Sequence, residues 1–144
     1  MVSGAHVLSG YLHGHGDEET KFSVDGTRWH RTGDAGYLDE RGRLWLLGRC
    51  SARIEDAHGS LYPFTVECAA HEHPGVQRAA VILHQGKRLL AVELVAGANV
   101  DELKKSLAWA RIDIIRAFEK LPVDKRHNAK IDYPALREML KRTG

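Results

Sequence analysis

Cysteine is nearly absent: Cys50 and Cys68 are the only two in 144 residues. They have no framework spacing, which excludes a disulfide-stapled scaffold and favours a reducing compartment. Long apolar runs are missing as well. Ala79 to Leu83 and Leu89 to Val92 are far shorter than the roughly 20 residues that cross a bilayer. The opening Met1-Val2-Ser3-Gly4 has no basic stretch followed by an apolar one, so no signal peptide is expected and the cytoplasm is the expected location. Charge of one sign is also lacking. The formal net charge is +2, and Lys141-Arg142 is too short a basic run to argue for nucleic acid. No Cys/His set has zinc spacing: His13 and His15 sit in a polar stretch, and His71 and His73 are two apart, so no metal site is expected. No Gly-rich phosphate loop occurs anywhere.

What is present reads as a folded chain, 43% hydrophobic and 28% charged. The first fifty residues are strands and turns. Ala5 to Leu8 reads as a brief strand ending at Ser9-Gly10, and His13 to Lys21 as a polar loop. Phe22 to Val24 stops at Asp25-Gly26, a hairpin signal. A second hairpin runs from Gly36-Tyr37-Leu38 through Asp39-Glu40-Arg41-Gly42 to Leu44–Leu47, and no helix is evident in this part. After Gly48-Arg49 the pattern changes. Pro63 suits a first helical position, ahead of an apolar face of Phe64, Val66, Ala69 and Ala70 that ends at His73-Pro74-Gly75. Val76 to Leu83 and Arg88 to Val95 predict two strands around Gln85-Gly86-Lys87. Asn99 or Asp101 caps a helix carrying Leu103, Leu107 and Ala110; Ile112, Ile114 and Ile115 suit a strand, and Tyr133 to Leu140 a last helix. The expected fold is α+β, with a β-rich piece over residues 1–50 and a small α+β domain over 51–144.

One constellation is more specific than its parts. Trp29-His30-Arg31-Thr32-Gly33-Asp34 is followed by Gly36, the Asp39 to Gly42 turn and Gly48-Arg49. Alone, a Thr-Gly-Asp is an ordinary turn. At this spacing the set resembles the adenylate-forming superfamily of acyl-CoA synthetases, luciferases and peptide-synthetase adenylation domains. The resemblance implies that residues 1–50 are the β-rich end of a large AMP-binding domain and 51–144 a small mobile lid domain. It implies that Asp34, with Thr32, binds the ribose hydroxyls of ATP or AMP, a task that suits a carboxylate with two acceptor oxygens. Arg49 matches the Arg that contacts the nucleotide near ribose and phosphate, where a planar guanidinium fork fits. Ser51 falls at the family's hinge, where members usually carry Asp or Lys. Leu121-Pro122 and Asn128-Ala129-Lys130-Ile131 resemble the terminal catalytic-lysine motif, with Ala129 in place of its usual Gly. Lys130 is thereby the candidate that reaches the α-phosphate and the acyl carboxylate.

Within the superfamily, Gly48 to Arg53, Ala57 to Pro63 and Arg126 to Ile131 are similar to the branch of olefin β-lactone synthetases and fatty-acyl ligases. That resemblance implies ATP and Mg²⁺ as cofactors and a fatty or β-hydroxy fatty acid as substrate. The loop near Gly59 lacks an Arg often found by the pantetheine tunnel, which leaves CoA or an internal hydroxyl as the acceptor. The phosphate loop, adenine pocket and acyl pocket of the family lie upstream of the matching region. The expected partner is therefore an upstream ligase domain, and the chain alone is expected to form no acyl-adenylate. The competing class is a non-catalytic module that completes or regulates a separate ligase domain, docking through Trp29, Trp45 or Trp109.

Overall fold

The structure, a computed structural model, describes residues 1–124 and 130–142. Asn128 and Ala129 of the lysine motif, with Arg126 and His127, lie outside the described residues. The architecture is α+β, and the chain divides into two compact units, Met1–Ala52 and Arg53–Gly144.

The first unit contains β1 (Val2–Ser3), the single helical turn α1 (Asp17–Thr20), β2 (Lys21–Val24), β3 (Thr27–His30), β4 (Asp34–Leu38) and β5 (Leu44–Arg49). The strands make a three-stranded antiparallel sheet in the order β1-β3-β2 and a separate β4–β5 hairpin. Asp25 and Gly26 both take positive φ, the backbone that a tight two-residue hairpin turn requires. Two expectations fail here. The first strand is Val2–Ser3, not Ala5 to Leu8, because β3 pairs with the former while the latter turns, with the Val7 N–H bonded to the Gly4 carbonyl. The stretch expected as a loop with no helix holds α1, whose three acidic residues in the first turn suit the positive end of a helix.

The second unit runs β6 (Ile54–Asp56), β7 (Gly59–Leu61), α2 (Pro63–His71), β8 (Val76–His84), β9 (Lys87–Leu94), α3 (Val100–Ser106), β10 (Ile114–Phe118) and α4 (Tyr133–Arg142). The β6–β7 hairpin has no counterpart in the sequence reading. The main sheet has the order β10-β9-β8, with β9 antiparallel to β8 and parallel to β10. Both of its faces are covered, which is why β8 and β9 read as nearly continuous apolar runs. Ala79, Val81, Leu90 and Val92 meet Val66 and Ala70 of α2 and Leu103 of α3. Their neighbours Ala80, Ile82, Leu89 and Ala91 meet Leu121 and, from α4, Leu136 and Leu140. Each fully buried leucine contributes roughly 1.5–3 kcal/mol from burial alone.

The caps follow the expected chemistry. Pro63 opens α2, and Asn99 is the cap of α3, its Oδ1 accepting from the N–H groups of Asp101 and Glu102 at 3.0 and 3.2 Å. The α3 helix stops at Ser106, so Leu107 and Ala110 are buried from the turn after it rather than from the helix itself. Ile112 precedes β10, and Phe64 is exposed rather than on the core face of α2. Among the described residues no helix is long and apolar enough to cross a membrane.

Candidate functional site

The β4–β5 hairpin gathers three of the residues singled out by sequence. Asp34 and Arg49 are directly paired across the two strands. Arg49 Nη1 donates to the Thr32 carbonyl at 2.6 Å and lies 3.3 Å from Asp34 Oδ1. The Asp34 N–H in turn donates to Thr32 Oγ1 at 3.2 Å, which fixes the start of β4. Both Arg49 contacts use Nη1, whereas a guanidinium carries five N–H donors. The Arg49 side chain is 66% exposed and that of Asp34 is 34% exposed. An ion pair so open to water adds little to stability. Its value is geometric: a carboxylate and a guanidinium fork held side by side at the surface, suited to a ligand carrying vicinal hydroxyls and an anion.

The strand irregularity beside this pair explains Gly36. The register shifts between Ala35 and Gly36, and a Cβ on Gly36 would sit 2.8 Å from the Trp45 carbonyl oxygen. Any side chain there would push β5 away and break the alignment that sets Asp34 against Arg49. The far end of the hairpin is tied by Asp39, which accepts from the N–H groups of Arg41 and Arg43, from Arg43 Nε at 2.7 Å and from Trp45 Nε1 at 2.9 Å. The Trp45 indole, followed by the Arg43 backbone N–H, pulls the Asp39 carboxyl down to about 2. Trp45 itself stacks on Tyr37 and remains exposed, as do Leu38, Leu44 and Leu46.

Ser51 lies in the short turn Cys50–Ala52, the last three residues of the first unit. Lys130 lies in the second unit and is exposed; its carbonyl accepts the Asp124 N–H at 2.9 Å. Among the described residues no three His, Cys, Asp or Glu side chains converge as a metal cluster would.

Three polar anchors of the second unit, two buried and one partly buried, were not singled out by sequence. Arg88, almost wholly buried, is bonded by Nε and Nη2 to the two carboxylate oxygens of Asp56 at 2.7 and 2.8 Å, and to the carbonyls of Gly59 and Ala110. This fastens the β6–β7 hairpin to the sheet, and the Arg88 guanidinium holds the Asp56 carboxyl low. Glu93 takes Arg78 Nη1 on one oxygen and the Leu121 N–H on the other, at 2.7 and 2.9 Å. Glu67 Oε1 accepts both the Val81 N–H and the Tyr133 hydroxyl, at 2.9 and 2.6 Å. Burial raises the Glu67 carboxyl above its ordinary range and, with the Glu67 charge beside it, the Tyr133 hydroxyl as well. For Arg88 and Glu93 the local signal was a charged residue within a strand apolar on both faces; nothing in the pattern names its partner.

No protein-family model matches the chain. It is similar to an olefin beta-lactone synthetase of Xanthomonas campestris, 38% identical over 117 residues that make up 71% of this chain and 21% of that protein. A 2-succinylbenzoate–CoA ligase of Listeria monocytogenes is 42% identical over 82 residues, 57% of this chain and 17% of that one. Among solved structures, the O-succinylbenzoate coenzyme A synthetase of Bacillus subtilis in complex with AMP superposes with a TM-score of 0.71 at 27% identity, over 94% of this chain and 28% of its own. The chain thus spans about a fifth of the length of the curated relatives it matches.

Proposed function

Because the chain is a member of the adenylate-forming ligase superfamily, matching a carboxy-terminal portion of its relatives, we propose that it supplies part of the active site of an ATP-dependent acyl ligase. The observation that carries this reading is the convergence of Thr32, Asp34 and Arg49 at one end of the β4–β5 hairpin. In this reading residues 1–50 are the β-rich end of the large AMP-binding domain, and 51–144 form the small carboxy-terminal domain. Asp34 accepts hydrogen bonds from the two ribose hydroxyls of ATP, and Arg49 faces the nucleotide between ribose and phosphate. The substrate in this reading is a fatty or β-hydroxy fatty acid, and the site of action is the cytoplasm.

The reaction joins two anions. An acyl carboxylate oxygen attacks the α-phosphorus, the bond to the β-phosphate oxygen breaks, and pyrophosphate leaves with the negative charge. Lys130 supplies the positive charge that the crowded anionic transition state needs, an effect greatest where water is excluded. Ser51 is the pivot about which the small domain turns between the two half-reactions, its φ and ψ absorbing the change. The Mg²⁺ that accompanies ATP takes few protein ligands and is held largely by the phosphates. Among the described residues no three His, Cys, Asp or Glu side chains gather to hold it. The acceptor of the second step is CoA or the substrate's own hydroxyl.

The exposed Tyr37, Leu38, Leu44, Trp45 and Leu46 favour a complementary surface on another part of the ligase, the upstream large domain. That same surface supports the second reading, a module that completes or regulates a separate ligase domain without chemistry of its own. The two readings differ at Lys130. In the intact ligase, Lys130→Ala slows adenylation by roughly 10²–10³, the scale of one preorganised donor. The second step, started from preformed acyl-adenylate, keeps its rate. Ser51→Pro does the reverse, since proline fixes φ near about −65°. Asp34→Ala raises the KM for ATP about tenfold, the loss of one charge-assisted hydrogen bond. Single-turnover assays of each step read all three. Adenylation at full rate in Lys130→Ala discards the catalytic reading and leaves the module.

A further inference from the structure

We propose that Glu67 and Tyr133 are positioning residues for Lys130, clamping its backbone to the edge of the main sheet so that the ammonium group is presented at a fixed place. The inference rests on the catalytic reading of Lys130 and concerns residues that take no part in the chemistry itself.

Residues 122–124 and 130–132 are joined by a short antiparallel clasp that includes Lys130. Asp124 N–H donates to the Lys130 carbonyl at 2.9 Å, Val123 bridges to Ile131, and Asp132 N–H donates to the Pro122 carbonyl at 3.0 Å. A clasp of this size does not hold its own position, since an isolated two-stranded pair is marginal in water. It is fastened at both ends by carboxylates, Glu93 buried and Glu67 partly buried. Before it, Leu121 is buried and its N–H is bonded to Glu93 of the central strand β9. After it, Asp132 caps α4 by accepting the Ala135 N–H on its side chain and the Leu136 N–H on its carbonyl. Tyr133, three residues past Lys130, then gives its hydroxyl to Glu67 of α2 at 2.6 Å. The same Glu67 oxygen takes the Val81 N–H of β8, the strand at the sheet edge. One carboxylate therefore joins the helix on one face of the sheet, the sheet edge, and the first turn of the helix on the other face.

An apolar pair would hold α4 against the sheet equally well, because burial has no direction. A buried carboxylate is costly to desolvate and is kept only where its bonds are made. What those bonds add is a fixed geometry for the backbone that carries Lys130. A lysine side chain has four flexible methylene groups, so its reach is set by where the Cα is held. Misplacing a reacting group by about an ångström costs roughly a hundredfold in rate.

The test is a double-mutant cycle in the intact ligase, read by single-turnover adenylation and, separately, by the second step from preformed acyl-adenylate. Tyr133→Phe removes one oxygen and keeps the ring; it is expected to slow adenylation by roughly ten- to a hundredfold and to leave the second step unchanged. Combined with Lys130→Ala it adds no further loss, because the clamp acts only through that lysine. Glu67→Gln, which retains an acceptor, lies between Tyr133→Phe and the parent. Glu138→Gln on the exposed side of α4, where Glu138 pairs with Lys141, serves as the control and changes neither step. Amide exchange in the 144-residue chain gives a readout free of catalysis: Asp124 and Asp132 exchange faster in Tyr133→Phe, while the amides of β9 stay protected. Losses in Tyr133→Phe that add to those of Lys130→Ala, or that fall equally on both steps, overturn the clamp, as does an unchanged adenylation rate. A Lys130→Ala variant with normal adenylation is a different result, which removes the catalytic reading beneath the proposal.

Discussion

The two units of this chain solve the folding problem to different degrees. Every buried hydrophobic side chain among the described residues lies at or beyond Ile54, in the second unit. The first unit has strands, turns and a well-bonded hairpin, yet many of its larger apolar side chains, including Leu8, Leu12, Leu44, Trp45 and Leu46, remain exposed, and Phe22, Trp29 and Leu47 are only partly buried. The second unit has a sheet covered on both faces, and its buried charged residues Arg88 and Glu93 find partners. Local hydrogen bonding specifies the shape of the first unit; burial supplies the stability of the second. Asp34 and Arg49 thus sit on a hairpin shaped by local hydrogen bonds, and Lys130 in the unit that holds the buried core.

The largest effect expected from this difference is in the cores. Leu136→Ala, which empties a fully buried position under the main sheet, is expected to cost about 2–5 kcal/mol. Leu44→Ala, at a position 69% exposed, is expected to stay within about 0.5 kcal/mol. Urea unfolding followed by helical circular dichroism and by tryptophan emission compares the two. A loss at Leu44 as large as that at Leu136 would mean that the first unit has a core after all.

A smaller effect is expected where a local signal serves a buried face. Asn99→Ala removes the side-chain cap of the helix that carries Leu103 into the core and is expected to cost about 1 kcal/mol, with Asn99→Asp near the parent. If both substitutions lower the midpoint equally, the cap is not what Asn99 contributes.

Sequence reading succeeded where the signal and the structure are both local. Asp25-Gly26 and Gln85-Gly86 announce turns because only a few residue types accept positive φ there, and both hairpins form. Pro63 announces α2 by the N–H it lacks. Val76 to Leu83 and Arg88 to Val95 announce β8 and β9 by their apolar runs, and both strands form. The reading failed where pairing decides. Ala5 to Leu8 has strand composition, but β3 takes Val2 and Ser3 as partners. The β6–β7 hairpin has strands of three residues, too short for a period to emerge, and is secured by Arg88, 32 positions from Asp56. At the site, the Thr-Gly-Asp segment and Arg49 were legible, and the structure brings them together. The Glu67–Tyr133 bond, spanning 66 positions, was not, because either residue alone reads as an ordinary helical side chain.

Acid separates the two units most gently, through the sign of their carboxylate shifts. Asp39 closes the β4–β5 turn, and its hydrogen bonds from Trp45 and Arg43 bring its carboxyl to about 2. A carboxyl held low in the folded state contributes stability that is complete above its unfolded value of about 3.9 and is lost as the pH falls through the folded value. The window for the hairpin is therefore roughly pH 4 to 2. In the second unit Asp56 is held low by Arg88 and has the same sign, whereas burial raises Glu67, whose contribution weakens as the pH rises through its range. The two shifts are opposite in sign within one unit. The Trp45 indole N–H resonance, which reports the Asp39 bond directly, is expected to shift between pH 4 and 2 while leucine methyl signals of the second unit keep their dispersion. In Asp39→Asn the shift disappears, because nothing remains at that position to be protonated. Loss of both sets of signals together, at one pH, would mean that the units unfold as one, and that the first depends on the second for more than its sequence connection.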